Sequence, residues 1–487
     1  MFFNSVDFAI FLPVVFMLYW FVLKGNIQHQ NLLIVVASYV FYGWWDWRFL
    51  SLIIFSTIVD YSVGLFLSKE EKNISRKYLL WTSVIINLGI LGVFKYYNFF
   101  LDNFIAAFSF FGVEFTGNSL NIILPVGISF YTFQTLSYTI DIYKDRITAT
   151  RDFIAFSAFV SFFPQLVAGP IERAKNLLPQ FKQKRVFNYS KAIDGVRQIL
   201  WGLFKKVVIA DNCAKYANQI FDNSADYGGA TLVLGAFFFT IQIYADFSGY
   251  SDIAIGTSRL FGFHLSQNFA APYFSRNFAE VWRKWHISLS TWFRDYLFIP
   301  LVKSSKPNVY TKIRNIFILF ITIGFWHGAN WKFVVWGALQ ALLFLPSIFK
   351  KNKVKYSKVV AYERPLPSLE ESFKMARTFS LIVFTMIFFR ATNIEHAISF
   401  CQSLFAGLFH YEEYFKLYDY TQDIQKSFTL VLIGFIVIEW LGRRSLYSFE
   451  KIGLTWSVPQ RFLMYYGIAF CILWFSGEDQ QYIYFEF

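Results

Sequence analysis

Charge and cysteine are both scarce in this sequence, and each shortage removes a class of protein. Only 16% of the residues are Asp, Glu, Lys or Arg, against about 25% in a soluble globular domain. The cysteines, Cys213, Cys401 and Cys471, are widely spaced and form no CxxC or haem-attachment pattern, so they read as small apolar side chains within helices. There is no GxxxxGK[ST] phosphate loop and no GxGxxG dinucleotide fingerprint. There is no GxSxG nucleophile elbow either. The opening MFFNSVDFAIFLPVVFMLYWFVL lacks a basic leader and a small-residue cleavage site, so it reads as a first retained span and not as a cleaved signal.

What fills the space is apolar. Hydrophobic residues make up 56% of the chain, with 63 Phe, 29 Tyr and 15 Trp, and the mean hydropathy is +0.40. Aromatic rings fill bundle interiors and form belts at bilayer surfaces. The net charge of +13 does not point to nucleic acid. The basic residues sit between apolar runs and form no basic face on a soluble module.

A membrane-crossing helix needs about 20 mostly apolar residues. Candidates lie at roughly 6–23, 31–45, 49–67, 79–101, 120–140, 195–210, 230–247, 315–330, 333–349, 378–391, 427–442 and 461–476. The stretch at 153–170 ends in Pro164, Gly169 and Pro170 and reads as re-entrant, which requires protein or a cavity around its backbone. Five basic loops then fall on one side: SKEEKNISRK, IERAKNLLPQFKQKR, KSSKPNVYTKIR, KKNKVKYSKVVAYER and GRRSLYSFEKIG. By the preference of Lys and Arg for the cytoplasm, both termini lie outside. No repeat or linker is evident, so residues 1–487 are expected to form a single all-α integral membrane domain of about 11–13 spans.

Of six histidines, His29, His264, His396 and His410 read as structural or solvated, and the other two stand in unusual surroundings. In EVWRKWHISLSTWFRDYLFIPL, helical spacing puts Trp282, Trp285, Leu289 and Trp292 on one stripe. Arg283, His286 or Ile287, Ser290 and Arg294 form the next stripe, as in a helix lying at the membrane interface. One reading is a surface anchor. The other has Arg283, Lys284 and Arg294 attracting a phosphate-bearing acyl donor, with His286 at its entrance. In ILFITIGFWHGANWKFVVWG, His327 ends an apolar span among Trp326, Gly328, Asn330 and Trp331. Glycine admits close backbone approach and an amide can orient an imidazole or a carbonyl, so the pattern suggests a pocket, although a hydrogen-bonded structural histidine would look the same. In QIYADFSGYSDIAIG, Asp246, Ser248 and Asp252 interrupt an apolar region and need partners, either as an interhelical hydrogen-bond cluster or as the lining of a substrate cavity. His286 and His327 lie about 40 residues apart without an obvious third ligand, which argues against a metal centre.

At these motifs the chain resembles the membrane-bound O-acyltransferase superfamily, and within it the alginate O-acetyltransferase branch. The resemblance is carried in order by MFFNSVDFAIFLPVVF, PVGISFYTFQTLSYTIDIY, FFPQLVAGPIERA, DFSGYSDIAIG, WRKWHISLSTWFRDYLFIPL, GFWHGANWKFVVWG and YIYFEF. After YLFIPL, alginate-type members often continue with a Gly-Gly turn, where this chain reads VKSSKPN, which weakens the link to alginate itself. The resemblance implies a ring of transmembrane helices around a funnel, with His327 as the catalytic histidine and His286 as the second family histidine. Trp326, Asn330, Trp331, Arg283, Arg294, Asp295, Asp246 and Ser248 are the expected supporting or substrate-binding residues. It further implies an acetyl-CoA or other acyl-thioester donor on the cytoplasmic side and no bound cofactor. The implied acceptor is an extracytoplasmic polysaccharide, reached directly or through a periplasmic acetyltransferase, and the implied location is the bacterial cytoplasmic (inner) membrane, in contact with lipid and not with nucleic acid. Two alternatives stay open: D-alanyl transfer to teichoic acid from a carrier protein, and a non-catalytic polysaccharide export subunit.

Overall fold

In the computed structural model, residues 1–112, 119–120, 123–306, 308–349, 359–477, 480 and 482–483 are described. Part of the basic loop expected near 350–377 (residues 350–358) and the last four residues of the aromatic end lie outside them. Among the described residues every regular element is helical. Seven helical stretches are long and apolar enough to cross a membrane, or eight if the bent pair Glu412–Gln422 and Lys426–Leu441 forms one span. The chain is a polytopic membrane protein.

Packing divides the chain into two compact units, Met1–Val196 with Ala254–Ser266, and Arg197–Ile253 with Gln267–Phe487. In the first, Leu50–Lys69, Asn73–Leu91 and Ile128–Tyr143 pack on one another. They enclose Asp60, whose carboxylate accepts bonds from the Ser83 hydroxyl (2.5 Å) and the Asn87 amide (2.9 Å). A buried carboxylate is tolerated because its oxygens are satisfied. The segment expected at 120–140 is the shorter helix Ile128–Tyr143, nearly all of it buried. The stretch expected to re-enter is a nine-residue helix, Phe153–Ser161, capped by the Asp152 side chain. Residues 155–172 are buried throughout, which supplies the shielding that non-helical backbone at membrane depth requires.

The second unit holds both unusual histidines. Its longest described helices include Val309–His327, Trp331–Phe344, Leu369–Arg390, Lys426–Leu441 and Val458–Phe475.

Candidate active site

His327 is delivered by a tight helical hairpin. Val309–His327 starts at a capping box between Asn308 and Thr311 and stops at Gly328, whose backbone is extended. Asn330 then caps Trp331–Phe344, its side-chain oxygen accepting the Lys332 N–H at 3.0 Å. The two helices approach closely because glycines face each other. A Cβ on Gly324 would collide with the Phe333 carbonyl, and one on Gly337 with the Phe320 carbonyl. This contact sets the Trp336 ring edge-on to His327, with centroids 5.4 Å apart. Phe389 of Leu369–Arg390 lies 5.1 Å from the imidazole. The hairpin is tied to the end of that helix by the buried Lys332 ammonium, which donates to the Ala391 carbonyl at 2.5 Å.

His286 arrives by a different route. The run expected to be one interfacial helix is broken. Phe278–Lys284 ends at Trp285, His286 takes a left-handed conformation (φ 40°, ψ 56°), and Ile287–Phe293 starts anew. A left-handed L-residue costs roughly 1–2 kcal/mol, so other contacts must hold it. Asn268 does much of this: its carbonyl accepts the Ile287 N–H (2.9 Å) and its side-chain oxygen accepts the Ser288 hydroxyl (2.9 Å). Trp285, Leu289 and Trp292 are buried, so the expected tryptophan stripe packs against protein and not lipid. The tertiary contacts of Asn268, invisible in helical periodicity, override the continuous helix.

Both imidazoles are buried, His286 at 1% and His327 at 8% exposure, and both line one cavity of about 20 Å³ with Ile243, Phe247, Trp285, Trp336, Met386, Phe389 and Ile483. That is room for a water-sized group. Trp326 stands beside both rings, 6.0 Å from His286 and 4.9 Å from His327. Burial, reinforced by His327, pushes His286 well below the ordinary imidazole range and keeps it neutral. The Trp336 indole N–H has no hydrogen-bond partner among the described residues, although the side chain is buried.

The remaining expected residues lie elsewhere. Asn330 is a helix cap. Trp331 is 53% exposed. Arg283 is exposed, and Arg294 is exposed and paired with Asp295 at 2.7 Å. Asp246 and Ser248 belong to a buried ion cluster. Lys206 bridges Asp246 and Asp211, each at 2.8 Å, while Lys205 pairs with Asp252 at 2.5 Å and donates to Ser248 at 2.9 Å. The cluster reaches the cavity through the chain end. Lys206 donates to the Gln480 carbonyl at 3.0 Å, and Asp246 accepts the N–H of Ile483 at 2.8 Å. Ile483 is itself part of the cavity wall. Sequence reading missed this role of Lys205 and Lys206. Their signal was two adjacent ammonium groups inside an apolar run, which must find carboxylates. Trp336, Met386, Phe389, Phe247 and Ile243 carry no pattern that separates them from ordinary core.

Known proteins of similar sequence are named for acyl transfer to a glycan or teichoic acid. The profile of the membrane-bound O-acyltransferase family matches residues 144–364, a span that contains both histidines. A probable alginate O-acetylase of Azotobacter vinelandii is 36% identical over 91% of this chain and 85% of its own length. A peptidoglycan O-acetyltransferase of Helicobacter pylori is 31% identical over 98% of this chain and 95% of its own. A teichoic acid D-alanyltransferase of Bacillus subtilis is more distant, 27% identical over 48% of this chain and 62% of its own. With relatives aligned over nearly its whole length, the chain belongs to the membrane-bound O-acyltransferase family and is a multi-pass O-acyltransferase.

Proposed function

We propose that the protein moves an acetyl group from a cytoplasmic thioester, acetyl-CoA or a related donor, to a glycan hydroxyl on the far side of a bacterial cytoplasmic membrane, directly or through a periplasmic acetyltransferase. The observation that carries this reading is the pair of buried imidazoles in one small aromatic cavity. The relatives aligned over most of the chain are named for O-acetyl transfer. The D-alanyltransferase match covers only 48% of the chain, so acetyl is the favoured group.

In this mechanism His327 removes the proton of the acceptor hydroxyl as its oxygen attacks the thioester carbonyl. The new C–O bond forms, the C–S bond breaks, and the thiolate leaves to take a proton. A positioned base contributes about 10²–10⁴-fold. His286, held neutral, is a hydrogen-bonding partner to the reacting groups and not a second cation. The buried Trp336 N–H supplies a donor for the negative charge that develops on the carbonyl oxygen; Asn330, expected from sequence for that task, has its side-chain oxygen engaged as a helix cap. Arg283, exposed beside the His286 turn, is available to an anionic donor, and Arg294 would exchange its Asp295 partner for one.

The test compares membranes carrying wild type or His327→Ala at matched protein levels, with single-turnover acetyl transfer to a glycan acceptor as readout. We expect a loss of about 10²–10⁴-fold. Turnover near wild type would overturn the assignment of His327 as base. Transfer of D-alanine from a carrier protein, with none from acetyl-CoA, would overturn acetyl as the group moved.

A further inference from the structure

A short amphipathic helix outside the proposed active site presents a face that no described residue of the chain covers. Glu412–Gln422 follows the membrane-crossing helix Leu369–Arg390 and the connecting helix Ile394–Gly407, and it directly precedes Lys426–Leu441. It makes an angle of 97° with Lys426–Leu441. Lys426–Leu441 coincides with the span expected at 427–442, and a helix at a right angle to the start of a span runs along the membrane plane.

Its sequence divides into three faces. At about 100° per residue, Glu413, Leu417 and Tyr420 share one side, and this side packs on protein. Tyr420 is buried and donates to the Gln219 side chain at 3.3 Å. The second side carries Glu412, Lys416, Asp419 and Asp423, all exposed. The third carries Tyr411, Tyr414, Phe415 and Tyr418, which are 50–73% exposed, and the 89% exposed Phe409 precedes it. The centres of the three faces lie roughly 100–140° apart by the same helical geometry. A helix resting beside a membrane protein on the bilayer surface meets three media, namely protein, water and lipid, and these faces match them one for one. Aromatic rings are favoured at the bilayer interface, and a stripe of them opposite charge is what an in-plane helix requires.

We infer that Glu412–Gln422 is an in-plane membrane anchor, with Tyr411, Phe415 and Tyr418 set into the lipid headgroup region and its charged face in water. The helix thereby fixes the level of the 391–425 segment at that surface of the bilayer. A second copy of the chain or a partner protein is disfavoured because three separate faces match protein, water and lipid one for one, and the exposed rings are Tyr and Phe of the kind favoured at the bilayer interface.

The test uses the full-length protein in phosphatidylglycerol–phosphatidylcholine nanodiscs. Cys401 and Cys471 are replaced by serine, and the buried Cys213 is left in place so that folding is undisturbed. Nitroxide labels go at Phe415→Cys and Tyr418→Cys on one face, and at Lys416→Cys and Asp419→Cys on the other. We expect the first pair to be more accessible to oxygen than to a water-soluble nickel chelate, and the second pair to show the reverse. Greater nickel access at 415 and 418 would overturn the inference by placing that face in water. Exclusion of both reagents there would overturn it by showing a protein partner.

Discussion

The two histidine segments of the second unit solve the same placement problem by opposite means. His327 sits at the end of a regular, nineteen-residue helix and is positioned by close packing. The facing Gly324 and Gly337 bring Trp331–Phe344 near enough to press Trp336 against the imidazole. His286 sits at a break between two seven-residue helices, in a left-handed backbone held by Asn268. The first histidine is carried by a rigid element and stabilised by its regularity. The second is carried by a strained turn, and the strain is offset by surrounding hydrogen bonds. Rings meet in one cavity whose third wall, Ile483, is anchored by the lysine–carboxylate cluster.

This contrast can be broken most severely at the shared wall. Lys206→Met leaves the buried Asp246 carboxylate, and the half-buried Asp211 beside it, without their ammonium, and loss of one partner of a buried pair costs about 3–5 kcal/mol. We expect a marked fall in melting temperature of the purified protein, together with loss of acyl transfer; unchanged melting would show that the cluster does not hold the chain end. Within the site, Trp336→Phe keeps the ring and removes the N–H. If the indole stabilises the developing oxyanion, kcat falls by about 10²–10³-fold at nearly constant KM. A change confined to KM would assign Trp336 to binding alone.

The hairpin side is sharpened at Gly324. Gly324→Val drives methyl groups into the Phe333 carbonyl and should cost about 1–3 kcal/mol by overpacking. Gly434→Ala, where nothing lies within 4 Å of the added carbon, should be neutral in the same thermal assay. On the His286 side the expected effect is smaller and depends on pH. The folded state keeps this imidazole neutral, below its ordinary value of 6.5, while the unfolded chain protonates near that value. The unfolded state therefore binds more protons under acid, so the stability is complete above about pH 6.5 and declines as pH falls below it. His286→Gly should flatten that decline and also relieve the left-handed backbone, ending more stable than His286→Ala by about 1 kcal/mol. Equal stability of the two variants at every pH would show that the turn is unstrained.

Much of this architecture is legible without coordinates because a bilayer leaves few options. A run such as ILFITIGFWH must be helical to satisfy its own backbone in lipid, and its end at Gly328 and restart at Asn330 follow from residue types that stop and cap helices. The two histidines stood out as polar groups in apolar or aromatic surroundings, and both reach one cavity. The same periodicity failed at 278–298, where it assumes an unbroken helix. The break depends on Asn268, which is eighteen residues from His286 in sequence and which no local pattern connects to it.

By itself, then, the sequence determined that the chain is a helical membrane protein, because apolar length, sparse charge and backbone hydrogen bonding permit little else. Its motifs also determined the family and singled out His286 and His327. Only the tertiary structure decided that His286 lies at a turn, that Trp336 and Phe389 wall the cavity, and that Asp246 clamps the chain end to Lys206 instead of lining the pocket. Those outcomes rest on which distant side chains meet and satisfy one another. Close approach and charge pairing act across space, and residue spacing along one helix does not encode them.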